Sequence, residues 1–308
     1  MSTHRRSPLW LILLAIGVVE VIGHYVVQAR VVSDDDWQRA GERVRAEWQT
    51  GDLVVAAPEW SDPLMRRELG DLIGLSGAGR ADERRFARIW TLSIRGHRPE
   101  EAPARAPDFD ETIGAVRVLR WDMTPERVLY DFLDHISEAQ VSIDERPCRW
   151  QRGRPRGGGL GAGPMQAGDR FQCDAQRSWL WVGRTMQEDL ELRGRHCIWQ
   201  HPASPEVIRA TFRDVPLGER FVLAGDLYYE HERMLEHGPL SVGVFLDDVE
   251  IGRMVHRDGD GWQEMVASTR VPSRGERERG DIRVEVTAPN PDMRTFCWAG
   301  SIREGGPE

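Results

Sequence analysis

The residues in this chain best suited to chemistry are indoles with polar neighbours. Trp199, Trp262 and Trp298 fall in a stretch that also holds Arg209, Arg213, His256 and Asp258. A sugar ring stacks on a flat indole, while guanidinium, imidazole and carboxylate groups pair with its hydroxyls. Trp199, Arg209, Arg213, His256, Trp262 and Trp298 are therefore candidate ligand-binding residues, although the tryptophans equally suit a core between sheets. Asp258-Gly259-Asp260-Gly261 spaces two carboxylates as the start of a calcium loop does. Asp258 and Asp260 are thus candidate metal ligands, with calcium the one cofactor to consider. The following Trp262-Gln263-Glu264 reads as strand, so a plain hairpin turn is the simpler account.

The signals for catalysis fall short. The 41 basic residues are all arginine, which excludes a phosphate-loop lysine, a Schiff-base lysine and a lysine general base. Gly74-Leu75-Ser76-Gly77-Ala78 lacks the final glycine of a nucleophile elbow and follows a helix-like run instead of a strand. His231-Glu232 and His237 miss the spacing that sets two imidazoles on one helix face to hold zinc. The glycines between Gly157 and Pro164 have no strand feeding them and read as a loop. No catalytic residue is assigned, and a non-enzymatic role is expected. A net charge of -9 argues against nucleic acid as a partner, because phosphates require a basic face.

The cysteines bear on how these residues are positioned. Cys148, Cys173, Cys197 and Cys297 form no Cys-x-x-Cys, so zinc-ribbon and thioredoxin readings lapse. An even count in an exported chain favours disulfides. Of the three pairings, Cys148–Cys173 would brace the Gly-rich loop and Cys197–Cys297 would tie neighbouring strands of a sandwich.

Export itself is read from the N-terminus. Arg5 and Arg6 precede an apolar run from Leu9 to Val27 interrupted by Glu20 and His24. About 19 helical residues span roughly 28 Å, near the thickness of a bilayer core. Residues 1–8 are expected to be a cytoplasmic flank, with 9–29 a single transmembrane anchor. Val27-Gln28-Ala29 offers the alternative of a cleaved signal. The expected location is the inner (cytoplasmic) membrane, with the bulk of the chain periplasmic. Glu20 and His24 share a helix face; a tolerated pair that hydrogen-bonds internally or snorkels is the simpler account, and contact with a membrane partner protein is the functional one.

Residues 30–145 are expected to form a small α/β domain. Ser33 with Asp34, Asp35 and Asp36 opens a helix whose stripe is Trp37, Ala40, Val44 and Trp48. LVVAAP, RIWTLSI and IGAVRVLRWD read as strands. SDPLMRRELGDLI reads as helix, and Thr124-Pro125 marks the start of another. GDLVVAAPEW and RIWTLSIRGH resemble the exported segment of some bacterial membrane glycosyltransferases, a resemblance that implies an accessory region and no transferase chemistry.

Residues 146–304, with a core at 196–304, read as an all-β sandwich. Ile208, Ala210 and Phe212 alternate with Arg209, Thr211 and Arg213, and Ile282, Val284 and Val286 alternate with Arg283, Glu285 and Thr287. Turn signals at Pro216-Leu217-Gly218, Asp247-Asp248 and Pro289-Asn290-Pro291 punctuate the runs. The succession CIWQHP, TFRDVPLGERFVLAGDLYY, SVGVFLDDVEIGRMVHRDGDGW, IRVEVTAPN and FCWAGSIR resembles the galactose-binding-like jelly roll of carbohydrate-binding modules. That resemblance implies a jelly roll and permits sugar binding. The expected function is recognition of a cell-envelope glycan or help in handling envelope polysaccharide. The rivals are an extracytoplasmic hydrolase carrying a carbohydrate-binding module and a structural envelope protein.

Overall fold

The computed structural model describes residues 9–28, 31–80, 82–158, 165–234, 237–270 and 277–304. Its first part is a four-stranded sheet ordered Asp52–Ala57, Arg88–Ile94, Val116–Asp122, Phe109–Ile113. The first two strands are parallel and the remaining pairs antiparallel. Ser33 caps the helix Asp34–Glu47 by accepting the Asp36 N–H at 3.1 Å. The stripe on that helix buries Trp37, Ala40 and Val44 against Val54, Trp90 and Leu92, and the helix Asp62–Leu69 adds Met65 and Leu69 to the same core. Gly51 turns into the first strand with a φ of 97°. Asp52 then accepts from Arg88 at 2.6 Å and from the Trp90 indole at 3.0 Å. The Gly-Asp pair thus joins a turn to a buried carboxylate that ties the two parallel strands together.

The remaining strands form a β-sandwich consistent with a jelly roll. The larger sheet runs Gln263–Ser268, Arg220–Leu227, Phe296–Glu304, Gly194–Gln200, Trp181–Glu188, Arg170–Gln172, Arg149–Gln151, and Arg127–Asp131 also pairs with Phe296–Glu304. The smaller sheet runs Val249–His256, Leu240–Leu246, Arg279–Thr287, Ile208–Pro216, Gln140–Ile143, Arg146–Pro147. The alternating residues Ile208, Ala210, Phe212, Ile282, Val284 and Val286 all face the shared core. Phe132, Phe212 and Phe221 meet there edge to face, with centroids at 4.7 and 5.2 Å. Burying each such ring contributes roughly 1.5–3 kcal/mol. Asp247 and Asp248, with φ of 46° and 68°, make the tight turn between Leu240–Leu246 and Val249–His256.

Both disulfides form as paired from the sequence. Cys148 joins Cys173, and Cys197 joins Cys297 across a sequence separation of 100. The second lies between adjacent strands, where Trp199 is in register with Cys297.

Two expectations are corrected. Among the described residues no helix is long and apolar enough to cross a membrane, which overturns the single-pass inner-membrane placement expected for 9–29. The helix Leu9–Gln28 carries Glu20 and His24 inside its apolar run, each costly to place in hydrocarbon. Ala29, the end of the alternative cleavage signal, lies outside the described residues, as do 159–164 of the Gly-rich loop. Second, the segment after Thr124-Pro125 is not helical. It forms the strand Arg127–Asp131, a turn and a single 3-10 turn at Ile136–Glu138. Pairing with Phe296–Glu304 outweighs the local start signal.

Candidate functional site

A cleft of about 570 Å³ opens at one end of the sandwich, where the loop before Trp181–Glu188 meets the segment after Gly194–Gln200 and the loop before Phe296–Glu304. Asp174 shapes the first of these loops. Its carboxylate accepts the N–H groups of Gln176 and Arg177 at 2.8 and 3.1 Å, which together with the Arg177 guanidinium hold it down at about 2. Arg177 continues to Glu206 at 2.8 Å, joining the loop to the far wall. The loop presents Trp179, which is 51% exposed. Trp199 lies beneath and donates through its indole N–H to the Trp179 carbonyl at 3.3 Å. It stacks on Trp181 at 5.0 Å with the rings 4° from parallel. A half-exposed tryptophan thus stands beside a buried, stacked pair of indoles.

Imidazoles supply the polar side of the cleft. His201 donates from Nδ1 to the Pro202 carbonyl at 2.7 Å, which leaves Nε2 as an acceptor. Burial pushes His201 down to about 4, so it is uncharged at neutral pH, and burial lowers His231 as well. His231 Nδ1 lies 2.9 Å from the Thr295 hydroxyl. His237 is held through its backbone N–H by Asp258 at 2.9 Å, and its own Nδ1 is buried without a hydrogen-bond partner. Arg294, fully buried, pairs with Asp258 at 2.7 Å and donates to the Gly238 carbonyl at 3.2 Å. The cleft thus combines an exposed tryptophan with imidazole and hydroxyl groups, Arg177 and Asp292, which together can donate to and accept from the hydroxyls of a sugar ring.

Of the residues singled out in the sequence, Trp199 lines this cleft and the other five ligand-binding candidates do not. Trp298 is fully buried in the core and donates to Gln200 Oε1 at 3.0 Å. Arg209 pairs with Glu285 at 2.9 Å, and Arg213 pairs with Asp281, on the strands Ile208–Pro216 and Arg279–Thr287 of the smaller sheet. Trp262 sits under the Arg195 guanidinium at 5.4 Å. His256 is fully buried beside Asp226 and Glu232. The calcium candidates are engaged otherwise. Asp258 is committed to Arg294 and the His237 N–H, and Asp260 accepts the Arg257 N–H at 2.7 Å within its own turn. Trp179, His201, His231 and His237 were missed because each sits in a loop or short helix without periodicity. The usable signal was Ser178-Trp179-Leu180-Trp181, where two indoles alternate directly after a turn.

A second hollow of about 360 Å³ lies between the first sheet and the sandwich, beside Trp60, Arg66 and Arg193. Its cations are already paired, Arg66 with Asp62 at 2.5 Å and Arg193 with Glu100 and Glu101.

No family model and no curated protein matches the chain. Solved structures that match include carbohydrate-binding modules, the class whose jelly roll the sequence resembles. One holds CBM51-2 in complex with GlcNAc and INT domains from Clostridium perfringens ZmpB, at 11% identity and a TM-score of 0.34, over 62% of this chain and 35% of that one. Another is a xylan-binding domain from CBM 22, at 11% identity and a TM-score of 0.28, over 57% and 94%. A third is CBM36 in complex with calcium and xylotriose, at 10% identity and a TM-score of 0.20, over 35% and 77%. The chain spans about a third of the length of the first of these.

Proposed function

We propose that this protein binds carbohydrate in the cleft between Trp179, His201 and His237, without cleaving it. The observation that carries this is the half-exposed Trp179, which lines the cleft beside Trp199 together with the uncharged, buried His201. An indole left half in water with its backbone pinned is preorganised for stacking, and ordering it costs little on binding. Neutral imidazoles pair with hydroxyls in both directions and do not demand a charged ligand. The class we favour is a neutral glycan of the kind found in bacterial envelope polysaccharides. The cleft has one carboxylate, Asp292, and no carboxylate pair among its lining residues, and the reading is of recognition.

The test is an array of bacterial envelope glycans probed with the full chain and with Trp179→Ala. The expected result is a defined set of neutral glycans bound by the wild type and lost in the variant at unchanged thermal stability. Binding retained in full by Trp179→Ala, or no binding by a folded chain with both disulfides formed, sinks the reading.

A further inference from the structure

Outside the cleft, three elements converge on a buried knot of donors. The strand Arg220–Leu227 brings Asp226, the short helix Tyr229–Glu232 brings Glu232, and the strand Val249–His256 brings His256. All three side chains are fully buried, and their ligating atoms lie within 4.8 Å of one another. His256 Nε2 is 3.3 Å from Asp226 Oδ1, 3.6 Å from Glu232 Oε1 and 3.0 Å from the Gly261 carbonyl oxygen.

The protein does not satisfy this knot by itself. Asp226 accepts the N–H groups of Leu227 at 2.6 Å and Leu190 at 3.3 Å, and Glu232 Oε1 accepts that of Gly261 at 2.7 Å. Glu232 Oε2, equally buried, receives no protein donor. The ligating oxygens of Asp226 and Glu232 also lie within 4.8 Å of each other. Two carboxylates buried with at most one imidazolium to offset them leave uncompensated negative charge, and a divalent cation removes that cost.

The spacing selects the cation. Bonds of about 2.0–2.2 Å in tetrahedral or octahedral array set neighbouring donors about 3.0–3.6 Å apart. The three separations around His256 Nε2 span that range. Calcium forms longer bonds and takes oxygen donors, whereas an imidazole suits zinc and its neighbours. We propose that Asp226, Glu232, His256 Nε2 and the Gly261 carbonyl hold a divalent cation of the zinc class. The cation joins the short helix bearing His231, which lines the cleft, to the turn Asp258–Gly261, whose Asp258 holds the cleft residue His237 through its backbone N–H.

The experiment uses the full chain, stripped with a chelator, desalted and titrated with zinc chloride by calorimetry, alongside Asp226→Asn and Glu232→Gln. The expected result is one equivalent bound by the wild type, a raised melting temperature, and affinity about ten-fold or more weaker in each variant. His201→Gln, in the cleft, should keep the zinc stoichiometry. Absence of saturable zinc binding by the folded wild type overturns the proposal. So does calcium binding where zinc fails, or zinc lost in His201→Gln and kept in Glu232→Gln. If the variants do not fold, cobalt-loaded wild type decides the matter. A visible d–d band with histidine coordination supports the site, and its absence overturns it.

Discussion

Trp179 and His201 do different work in the same cleft. Trp179 contributes stacking and little to the core, so Trp179→Ala should weaken glycan binding about ten-fold or more in a calorimetric titration while moving the melting temperature little. His201 is buried and neutral, held down to about 4 against an ordinary value of 6.5. As the pH falls below about 6.5 the unfolded chain takes up a proton that the folded chain refuses, so stability is full above that pH and is lost toward pH 4. The loss attributable to this one group is about 3 kcal/mol between pH 7 and pH 4. Denaturant melts of the wild type and His201→Gln should therefore differ in pH slope over that window. Parallel slopes would contradict the neutral-histidine account.

Among the elements, the Cys148–Cys173 bridge closes a sequence separation of 25 around the Gly-rich loop and joins the last strands of the larger sheet. Loop-closure entropy puts its contribution at about 3 kcal/mol, an upper figure. Replacing both cysteines by serine should lower the denaturation midpoint and leave the core around Phe132 and Phe212 intact by near-ultraviolet circular dichroism. Strands were legible where alternation was long: Ile208–Pro216 and Arg279–Thr287 face the core as their patterns require. Arg127–Asp131 was not legible, because Thr124-Pro125 is a sound local helix start and the pairing that overrides it involves residues far along the chain. The cleft was legible only through Trp199. Trp179, His201 and His237 become neighbours through topology, and local sequence does not encode that proximity. The Asp258–Gly261 turn carried the spacing of a cation loop, but Arg294 supplies its counter-charge from a distant loop.

For the molecule as a whole, the first sheet and the sandwich are joined by an ion network centred on Arg303. This residue is almost fully buried and pairs with Glu126 at 2.7 Å and with Asp82, which precedes the strand Arg88–Ile94. Removing one partner of a buried pair leaves the other uncompensated, typically at about 3–5 kcal/mol. Arg303→Met should cost about 3 kcal/mol, since Arg220 still reaches Glu126 at 3.2 Å, and should speed limited proteolysis between residues 70 and 85. Equal proteolysis of the two proteins would show that the network does not hold these parts together.

The most direct measurement is hydrogen–deuterium exchange of the full chain with and without a glycan selected from the array. The expected footprint is slowed exchange over residues 177–181, 199–204 and 291–295, with the strand Ile208–Pro216 unchanged. Protection confined to that strand and Arg279–Thr287, around Arg209 and Arg213, would place the ligand on the outer face of the smaller sheet and contradict the cleft.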